Sequence, residues 1–251
     1  MDKAYWESVA DRFDDEVLKI LDRDRTGILL QTIIHLGAPS KTVADFGCGN
    51  GSLLPALSQS FKHVVAFDHS AALLADAKSR NKPSNNIDYC QADLSQSYSV
   101  DRKVDVCFCV NVLLHPDTDL RASILENAIA SLKRRGTFVL VVPAFESLLH
   151  TYHTIVETNV VNGVDRSEAT AEVQAVYAEE VISSIEGIVS LGSEPTKMHT
   201  QEEARSILLD QDLTRIESHR VEYDWAEMID DAPEGLGEPY PWDWLLTARK
   251  P

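Results

Sequence analysis

Short apolar runs alternate with helix-like segments along the first 150 residues. Uninterrupted apolar runs are typical of strands that are covered on both faces. Between them, apolar residues recur with a helical period, and the third such segment precedes Gly136, which we take as its cap. This alternation predicts an α/β fold with a mostly parallel sheet and right-handed crossovers. The predicted strands are 42–46, 63–67, 87–91, 104–110 and 137–142, and the predicted helices are 53–60, 71–78 and 120–132.

The two ends of the chain have a different pattern. Residues 8–36 have helical periodicity up to Gly37, and residues 144–190 are mostly helical with an interruption at Asn162-Gly163. We therefore expect one domain over 1–251, with an N-terminal helical lid at 1–36 and a substrate-side insertion at 144–200. A short hairpin is expected at 187–200, followed by a helix at 200–209 and strands at 215–223 and 244–250.

Composition and charge restrict the class of partner. The chain has 251 residues, of which 44% are hydrophobic, as is ordinary for one globular domain. Forty acidic residues against 23 basic ones give a net charge of −17. Nucleic acids and anionic membranes are bound through clustered lysine and arginine, so we expect neither as a partner. The run Lys133-Arg134-Arg135 is explained as a basic helix end.

The cysteines and the chain start predict a cytoplasmic location. The first residues are polar and have no secretory pattern, and no apolar run is long enough to span a membrane. Four cysteines are too few and wrongly spaced for a disulfide framework, so we expect buried free thiols in a reducing compartment. They are Cys48, Cys90, Cys107 and Cys109.

A glycine-rich turn and two acids mark one edge of the predicted sheet. The turn 47–51 follows a strand that ends Asp45-Phe46, and glycines there let the backbone approach a ligand closely. Asp68 ends the second strand, where it can accept both hydroxyls of a ribose, and Asp93 follows the third, within reach of an adenine amino group. Helix N-capping is the alternative role for either acid, and the glycine turn makes it less favoured.

This stretch, Asp45-Phe-Gly-Cys-Gly-Asn-Gly51, resembles motif I of the class I S-adenosylmethionine-dependent methyltransferases. The resemblance covers about residues 40–145. It implies a Rossmann-like fold with a seven-stranded, mostly parallel sheet, helices on both faces, a late antiparallel strand pair, and S-adenosylmethionine as cofactor. Tyr5 is expected to reach the cofactor from the lid. The full expected cofactor-binding set is Asp45, Gly47, Gly49, Asp68, His69, Asp93, Leu94, Asn111 and Tyr5.

Other classes fit less well. The dinucleotide fingerprint of dehydrogenases is G-x-G-x-x-G, and Ser52 stands where its third glycine belongs. No metal site is predicted. A non-catalytic subunit that keeps the fold, and a methyltransferase acting on protein or RNA, stay open as alternatives.

The segment after the fourth strand favours a small-molecule acceptor. It reads Asn111-Val-Leu-Leu114, without the Asn/Asp-Pro-Pro-Tyr/Phe motif of many amide and nucleobase amine methyltransferases. Further on, Glu146, His150 and His153 share one face of a predicted helix. They can orient the acceptor or remove its proton, or they can form a solvent-facing stripe. Our candidate catalytic residues are Glu146, His150 and Asn111.

A finer resemblance concerns the acceptor. Ala4-Tyr-Trp-Glu7, Leu53-Leu-Pro55, Cys109-Val-Asn-Val-Leu-Leu114 and Pro239-Tyr-Pro-Trp-Asp-Trp244 look like the methyltransferase modules of ovothiol biosynthesis. That likeness implies methylation of an imidazole nitrogen of 5-thiohistidine. Another small amine or a carboxylic acid is the alternative, and the sequence leaves the oligomeric state open.

Overall fold

The computed structural model describes residues 6–7, 10–16, 19–96, 103–191, 194–229, 232 and 235–251. Tyr5 lies outside these residues. Within them the chain forms ten strands: β1 Ala38–Phe46, β2 Phe61–Asp68, β3 Ile87–Gln91, β4 Val104–Val110, β5 Leu132–Pro143, β6 Val181–Ser183, β7 Ile188–Leu191, β8 Glu194–Lys197, β9 Thr214–Glu222 and β10 Trp242–Arg249.

Seven strands form the main sheet, in the order β3-β2-β1-β4-β5-β10-β9. The first five are parallel, and β10 is antiparallel to both of its neighbours. Because β9 is antiparallel to β10, it has the same direction as β1–β5, so β10 alone opposes the rest. The three short strands β6, β7 and β8 form a separate antiparallel sheet, which contains the predicted hairpin. The predicted seven-stranded, mostly parallel sheet is confirmed.

Ten α-helices flank the sheets or precede them in the described residues. Four begin with a side chain that accepts a backbone N–H, namely those capped by Ser70, Asp117, Asp165 and Thr200. A 3₁₀ turn, Ala10–Arg12, precedes the first helix. The helices are α1 Phe13–Glu16, α2 Ile20–Arg23, α3 Ile28–Leu36, α4 Leu54–Ser60, α5 Ala71–Arg80, α6 Thr118–Ala130, α7 Phe145–Val161, α8 Arg166–Glu180, α9 Gln201–Asp210 and α10 Trp225–Met228.

The core has two halves, one on each face of the sheet. Alternate residues of β4 show this: Val106 and Phe108 pack in one half with α3, α4 and α5. Cys107 and Cys109 pack in the other half with α6 and α9. A strand covered on both faces has no polar side, which is why β4 is apolar at every position after Asp105. All four cysteines are free thiols, and all except the half-buried Cys90 are buried.

Two predicted helical segments differ in detail from the structure. Within the described residues, the helical periodicity of 8–36 corresponds to several short helices, and Asp24, which accepts backbone N–H groups of Thr26, Gly27 and Leu29, lies in the break between α2 and α3. The predicted helix 120–132 ends at Ala130 instead. The basic run after it belongs to β5, since Leu132 pairs with Val104 across the sheet. Gly136 is therefore a strand residue and no helix cap.

None of the helices in the described ranges combines the length and apolar character that crossing a membrane requires.

Candidate functional site

The glycine turn after β1 uses a backbone conformation that glycine adopts at little cost. Gly47, Gly49 and Gly51 have φ angles of 76°, 53° and 82°. The backbone N–H groups of Gly47 and Cys48 both donate to the carbonyl oxygen of Phe67, each at 2.8 Å. The turn is thereby fixed to the end of β2, and it lies at the carboxyl edge of the parallel strands.

Two side chains pack directly on this turn. A Cβ atom added at Gly47 would lie 2.5 Å from Cγ2 of Val112, and one added at Gly49 would lie 2.8 Å from Cζ of Phe13. Both distances are shorter than real Cβ atoms tolerate. The turn therefore requires glycine twice over, for its φ angles and for its neighbours.

Asp68 is held by backbone amides on both sides. Its side chain is buried, Oδ2 accepts the N–H of Gly49 at 2.9 Å, and Oδ1 accepts the N–H of Ser70 at 2.9 Å. Burial is the main cause that raises its pKa, and the two amide hydrogen bonds oppose the rise. Ser70, not Asp68, caps α5. Each carboxylate oxygen can accept a second hydrogen bond, so Asp68 can still receive hydroxyl groups.

Asp45 has a buried oxygen with no partner. The residue is 1% exposed, and its Oδ2 finds no hydrogen-bond donor among the residues that the structure describes. Burial, and then the charge of Asp68, raise its pKa to about 7. An unpaired buried carboxylate oxygen is costly, and such an atom at an edge of this kind indicates a missing donor from a ligand.

The remaining acids and neighbours of this edge differ in exposure. Nε2 of His69 is buried without a partner within the described ranges, and Nδ1 lies 3.8 Å from Oδ1 of Asp68. Asp93 is exposed, and its Oδ1 accepts both the N–H and the hydroxyl of Ser95, at 3.0 and 2.6 Å. Leu94 beside it is buried. Asp93 therefore stabilises a turn after β3 while it lies at the same edge as Asp68.

Asn111 follows β4 directly and has a φ of 52°. Its backbone N–H donates to the carbonyl of Val141 at 2.9 Å, and its Nδ2 lies 3.5 Å from Oδ2 of Asp243, a long hydrogen bond. Asp243 also accepts the hydroxyl of Tyr223 at 2.7 Å. No local sequence pattern predicted this cluster. Its signal was an acid within the otherwise apolar first part of β10, residues 242–246.

The predicted polar face of α7 divides in the structure. Glu146 is engaged on both oxygens, since Oε1 accepts the N–H of Gln201 at 2.7 Å and Oε2 accepts Nε1 of Trp244 at 2.9 Å. Nε2 of His150 donates to the carbonyl of Pro239 at 2.9 Å. His153 is exposed. The three residues do lie on one helix, but they do not point at one common site.

His150 lies among aromatic rings. Its centroid is 6.2 Å from that of Trp225 and 5.8 Å from that of Trp242. Because Nε2 donates to a carbonyl, it carries the ring's proton. In the neutral ring only Nδ1 can then accept a proton from another molecule. A cavity of about 390 Å³ lies beside this part of α7, between it and Gly235.

The N-terminal segment contacts the glycine turn and its neighbours. The Oδ1 atom of Asp14 accepts Nδ2 of Asn50 at 2.6 Å, and Oδ2 accepts Nη1 of Arg80 at 2.7 Å. Glu7 accepts the N–H of Ala71, the first residue of α5, at 3.0 Å. Residues 6–16 are therefore tied to the turn, as far as the structure describes them.

The described residues contain no group of three or more histidine, cysteine, aspartate or glutamate side chains that could hold a metal ion.

The comparisons with known proteins agree with this geometry. Residues 43–136 match the family described as a methyltransferase domain. A stretch of 135 residues is 29% identical to malonyl-[acyl-carrier protein] O-methyltransferase 2 of Coxiella burnetii (strain RSA 493 / Nine Mile phase I). That match covers 53% of this chain and 52% of the relative, so the chain spans about half the length of the relative.

Two solved structures show the same fold over nearly the whole chain. The N-methyltransferase NodS from Bradyrhizobium japonicum WM9, in complex with S-adenosyl-L-homocysteine, has a TM-score of 0.62 at 15% identity, and the match covers 100% of both chains. The 1,6-didemethyltoxoflavin-N1-methyltransferase of Burkholderia thailandensis has a TM-score of 0.59 at 17% identity, over 98% of this chain and 84% of the other. The chain therefore has the class I methyltransferase fold, and the family match falls on residues 43–136 within it.

Proposed function

We propose that the protein is an S-adenosylmethionine-dependent methyltransferase whose acceptor is a small polar metabolite. The observation that carries the proposal is the buried, unpartnered Oδ2 of Asp45 beside the glycine turn. A ligand that combines an ammonium group with a nucleoside can supply the missing donor, because its ammonium group can donate to this oxygen. The glycine backbone gives that ligand room to approach.

Each residue at this edge has a proposed role toward the cofactor. Asp45 receives the ammonium group, and the turn at Gly47 and Gly49 supports the methionine part. Asp68 receives the ribose hydroxyls. Asp93 reaches the adenine amino group, with His69 and Leu94 on either side of the base and Asn111 near the methyl group. Tyr5 is proposed as a further contact from the N-terminal segment.

S-adenosylmethionine supplies a methyl group on a positively charged sulfur. A lone pair of the acceptor forms the new bond to the methyl carbon, while the electrons of the carbon–sulfur bond return to sulfur. The protein has to hold the nucleophile in line and exclude water. A neutral nitrogen needs no strong base for this, and its product loses a proton afterwards. These demands agree with an edge whose side chains position groups by hydrogen bonds.

We propose an imidazole or amine nitrogen as the nucleophile, with a histidine-like molecule such as 5-thiohistidine as the acceptor. The resemblance of the chain to ovothiol methyltransferase modules supports this, together with the aromatic rings around His150. His150 and Asn111 are the proposed acceptor contacts. Both carboxylate oxygens of Glu146 accept hydrogen bonds, from Gln201 and Trp244. We therefore propose that Glu146 holds α7 against α9 and β10 on the acceptor side. Methylation of a carboxylic acid is the alternative that the Coxiella relative raises.

We also propose that the N-terminal segment is a lid over the cofactor and that residues 144–200 form the acceptor side. The contacts of Phe13 with Gly49 and of Asp14 with Asn50 support the lid. The four free thiols support a reducing, cytoplasmic location.

Calorimetry with S-adenosylhomocysteine tests the cofactor, and we expect micromolar affinity. Mass spectrometry then follows methylation of 5-thiohistidine, histidine and a malonyl thioester in the presence of S-adenosylmethionine. Of these three acceptors, we expect 5-thiohistidine to be methylated fastest. Absence of S-adenosylhomocysteine binding would overturn the proposed class, and turnover of the malonyl thioester alone would replace the proposed acceptor. Cofactor binding without turnover across a wider metabolite panel would favour a non-catalytic subunit.

A further inference from the structure

A buried polar cluster joins β4 to the last two strands at the carboxyl edge of the parallel strands, where the glycine turn lies. We call this edge the cofactor edge. Tyr223 is fully buried, Asp243 is 7% exposed, and Asn111 is half-buried. Asp243 lies beside Pro143 in the antiparallel register of β10 on β5. The start of β10 therefore brings a carboxylate to the same edge at which the parallel strands end.

Hydrogen-bond chemistry fixes how Asn111 is oriented in this cluster. Burial raises the pKa of Asp243 to about 6, and the hydrogen bonds from Tyr223 and Asn111 lower it. The group is therefore a carboxylate near neutral pH, and a carboxylate only accepts hydrogen bonds. Asn111 must turn its NH₂ toward Asp243, because the reverse orientation would set two oxygens against each other. Its Oδ1 is thereby turned away from Asp243.

That oxygen is buried and has no donor among the described residues. A buried amide oxygen without a partner is costly, and a ligand that donates a hydrogen bond removes the cost. The nearby groups placed at this edge are also acceptors, since Asp45 and Asp68 are carboxyl groups. A carboxylate in this position has no hydrogen to donate and would leave the oxygen of Asn111 unsatisfied. A molecule with an N–H would satisfy that oxygen.

We propose that Asp243 and Tyr223 are positioning residues, which hold the carboxamide of Asn111 with its oxygen toward the crevice, and that this oxygen selects acceptors bearing an N–H over carboxylates. The inference rests on the proposed function and adds two residues to it. Selectivity of this kind arises because the wrong acceptor leaves a polar atom of the site without a hydrogen bond or is repelled by it.

The test uses imidazole and acetate as minimal probes of the two acceptor classes. Each is titrated into the isotope-labelled full-length protein near pH 8, where imidazole is neutral and donates one N–H. The titrations are made on the free protein and with saturating S-adenosylhomocysteine. Nuclear magnetic resonance follows the side-chain amide of Asn111, which is identified by its loss in Asn111→Ser. We expect a saturable, millimolar shift with imidazole and none with acetate.

Variants separate positioning from structure. In Tyr223→Phe we expect imidazole affinity to fall about tenfold, because Asp243 loses the hydrogen bond that fixes its carboxylate and therefore holds Asn111 less firmly. S-adenosylhomocysteine affinity should stay within about twofold. Tyr152→Phe is the matched control, because its hydroxyl donates to Glu180 at 2.6 Å, a Tyr–carboxylate pair between α7 and α8. It should change neither affinity.

Three results would overturn the inference. They are a saturable acetate shift as strong as that of imidazole, no imidazole shift at Asn111, and equal imidazole binding in Tyr223→Phe and the wild type. If Tyr223→Phe is poorly folded, Asp243→Asn replaces it, with the same expectation for imidazole. Failure of S-adenosylhomocysteine to bind is a separate result that concerns only the proposed function, because the titration of the free protein still tests the Asn111 oxygen.

Discussion

The cofactor edge and the acceptor side of this molecule are built differently. At the cofactor edge, carboxylates bind backbone amides close to the ends of neighbouring strands, as Asp68 binds those of Gly49 and Ser70. On the acceptor side, single side chains connect elements that are far apart in the chain. Glu146 joins α7 to α9 and β10, and His150 joins α7 to Pro239.

The difference has consequences for function. Backbone amides have fixed positions, so a site that uses them depends on the few side chains that bind those amides, such as Asp68. A site that depends on side-chain contacts across the fold changes with single substitutions. We infer that the proposed cofactor binding rests on local contacts of the glycine turn, and that the proposed acceptor choice rests on a few long-range contacts, among them those of Asn111, Asp243 and His150.

The largest effect is expected at Asp68. Asp68→Ala should weaken S-adenosylhomocysteine binding at least about 100-fold, because two hydrogen bonds to a charged group are lost, each worth roughly 1.5–3 kcal/mol. Calorimetry measures this. The control is Asp105→Asn, a carboxyl group at the opposite edge that accepts the N–H of Thr42 at 2.8 Å. It should lower stability and leave affinity unchanged. Equal affinity in Asp68→Ala and the wild type would refute the ribose role.

A second test separates the general effect of backbone strain from the effect of a substitution inside the glycine turn. Gly49→Ala should weaken S-adenosylhomocysteine binding about tenfold, since a left-handed residue costs roughly 1–2 kcal/mol and its Cβ meets Phe13. Gly163→Ala carries similar strain at a φ of 95°, with nothing within 4 Å of the added Cβ. It should lower the unfolding temperature only. If both variants lose the same affinity, the turn has no special part in binding.

The pH dependence of binding tests Asp45. Its pKa is raised to about 7, so the group is protonated below that pH and cannot pair with an ammonium group. We expect S-adenosylhomocysteine affinity to fall a few-fold as the pH falls from about 8 to about 6. Asp45→Asn should flatten the profile, as calorimetry at several pH values will show. A wild-type profile that stays flat would contradict the assigned role.

The same shift affects the stability of the ligand-free protein. Folding holds a proton on Asp45 that the unfolded chain, with a pKa near 3.8, has released. The contribution of Asp45 to the free energy of unfolding is therefore present below pH 3.8 and is lost as the pH rises through about 7. Thermal unfolding of Asp45→Asn should be less sensitive to pH across this window than that of the wild type.

The smallest effect is expected at the lid. Asp14→Asn weakens a partly exposed contact with Arg80 and the contact with Asn50, so the dissociation rate of S-adenosylhomocysteine should rise about two- to threefold. Stopped-flow measurement is suited to this. Asp76→Asn is the control, because Asp76 is the other carboxylate partner of Arg80. A dissociation rate that rises equally in both variants would attribute the effect to Arg80 and not to the lid.

Much of the fold was predictable because its signals are local. Strands β3 and β4 begin and end as expected, since an alternating segment in β3 and a mostly apolar segment in β4 are each bounded by turn residues. The end of α6 was not predictable. Residues 131–135 have helix-compatible residue types, and only pairing of Leu132 with Val104 makes them a strand. In the same way, Asp24 interrupts the predicted N-terminal helical stretch through side-chain bonds that periodicity does not record.

The sequence by itself determined the class I fold and the positions of Asp45, Asp68 and the glycine turn. These follow from strand ends and backbone φ angles, which neighbouring residues encode. Only the tertiary structure placed Asp243 against Asn111, across 132 positions, and Glu146 against Trp244, across 98. The physical reason is that such contacts depend on the packing and register of distant strands and helices, and no local pattern reports which side chains will meet.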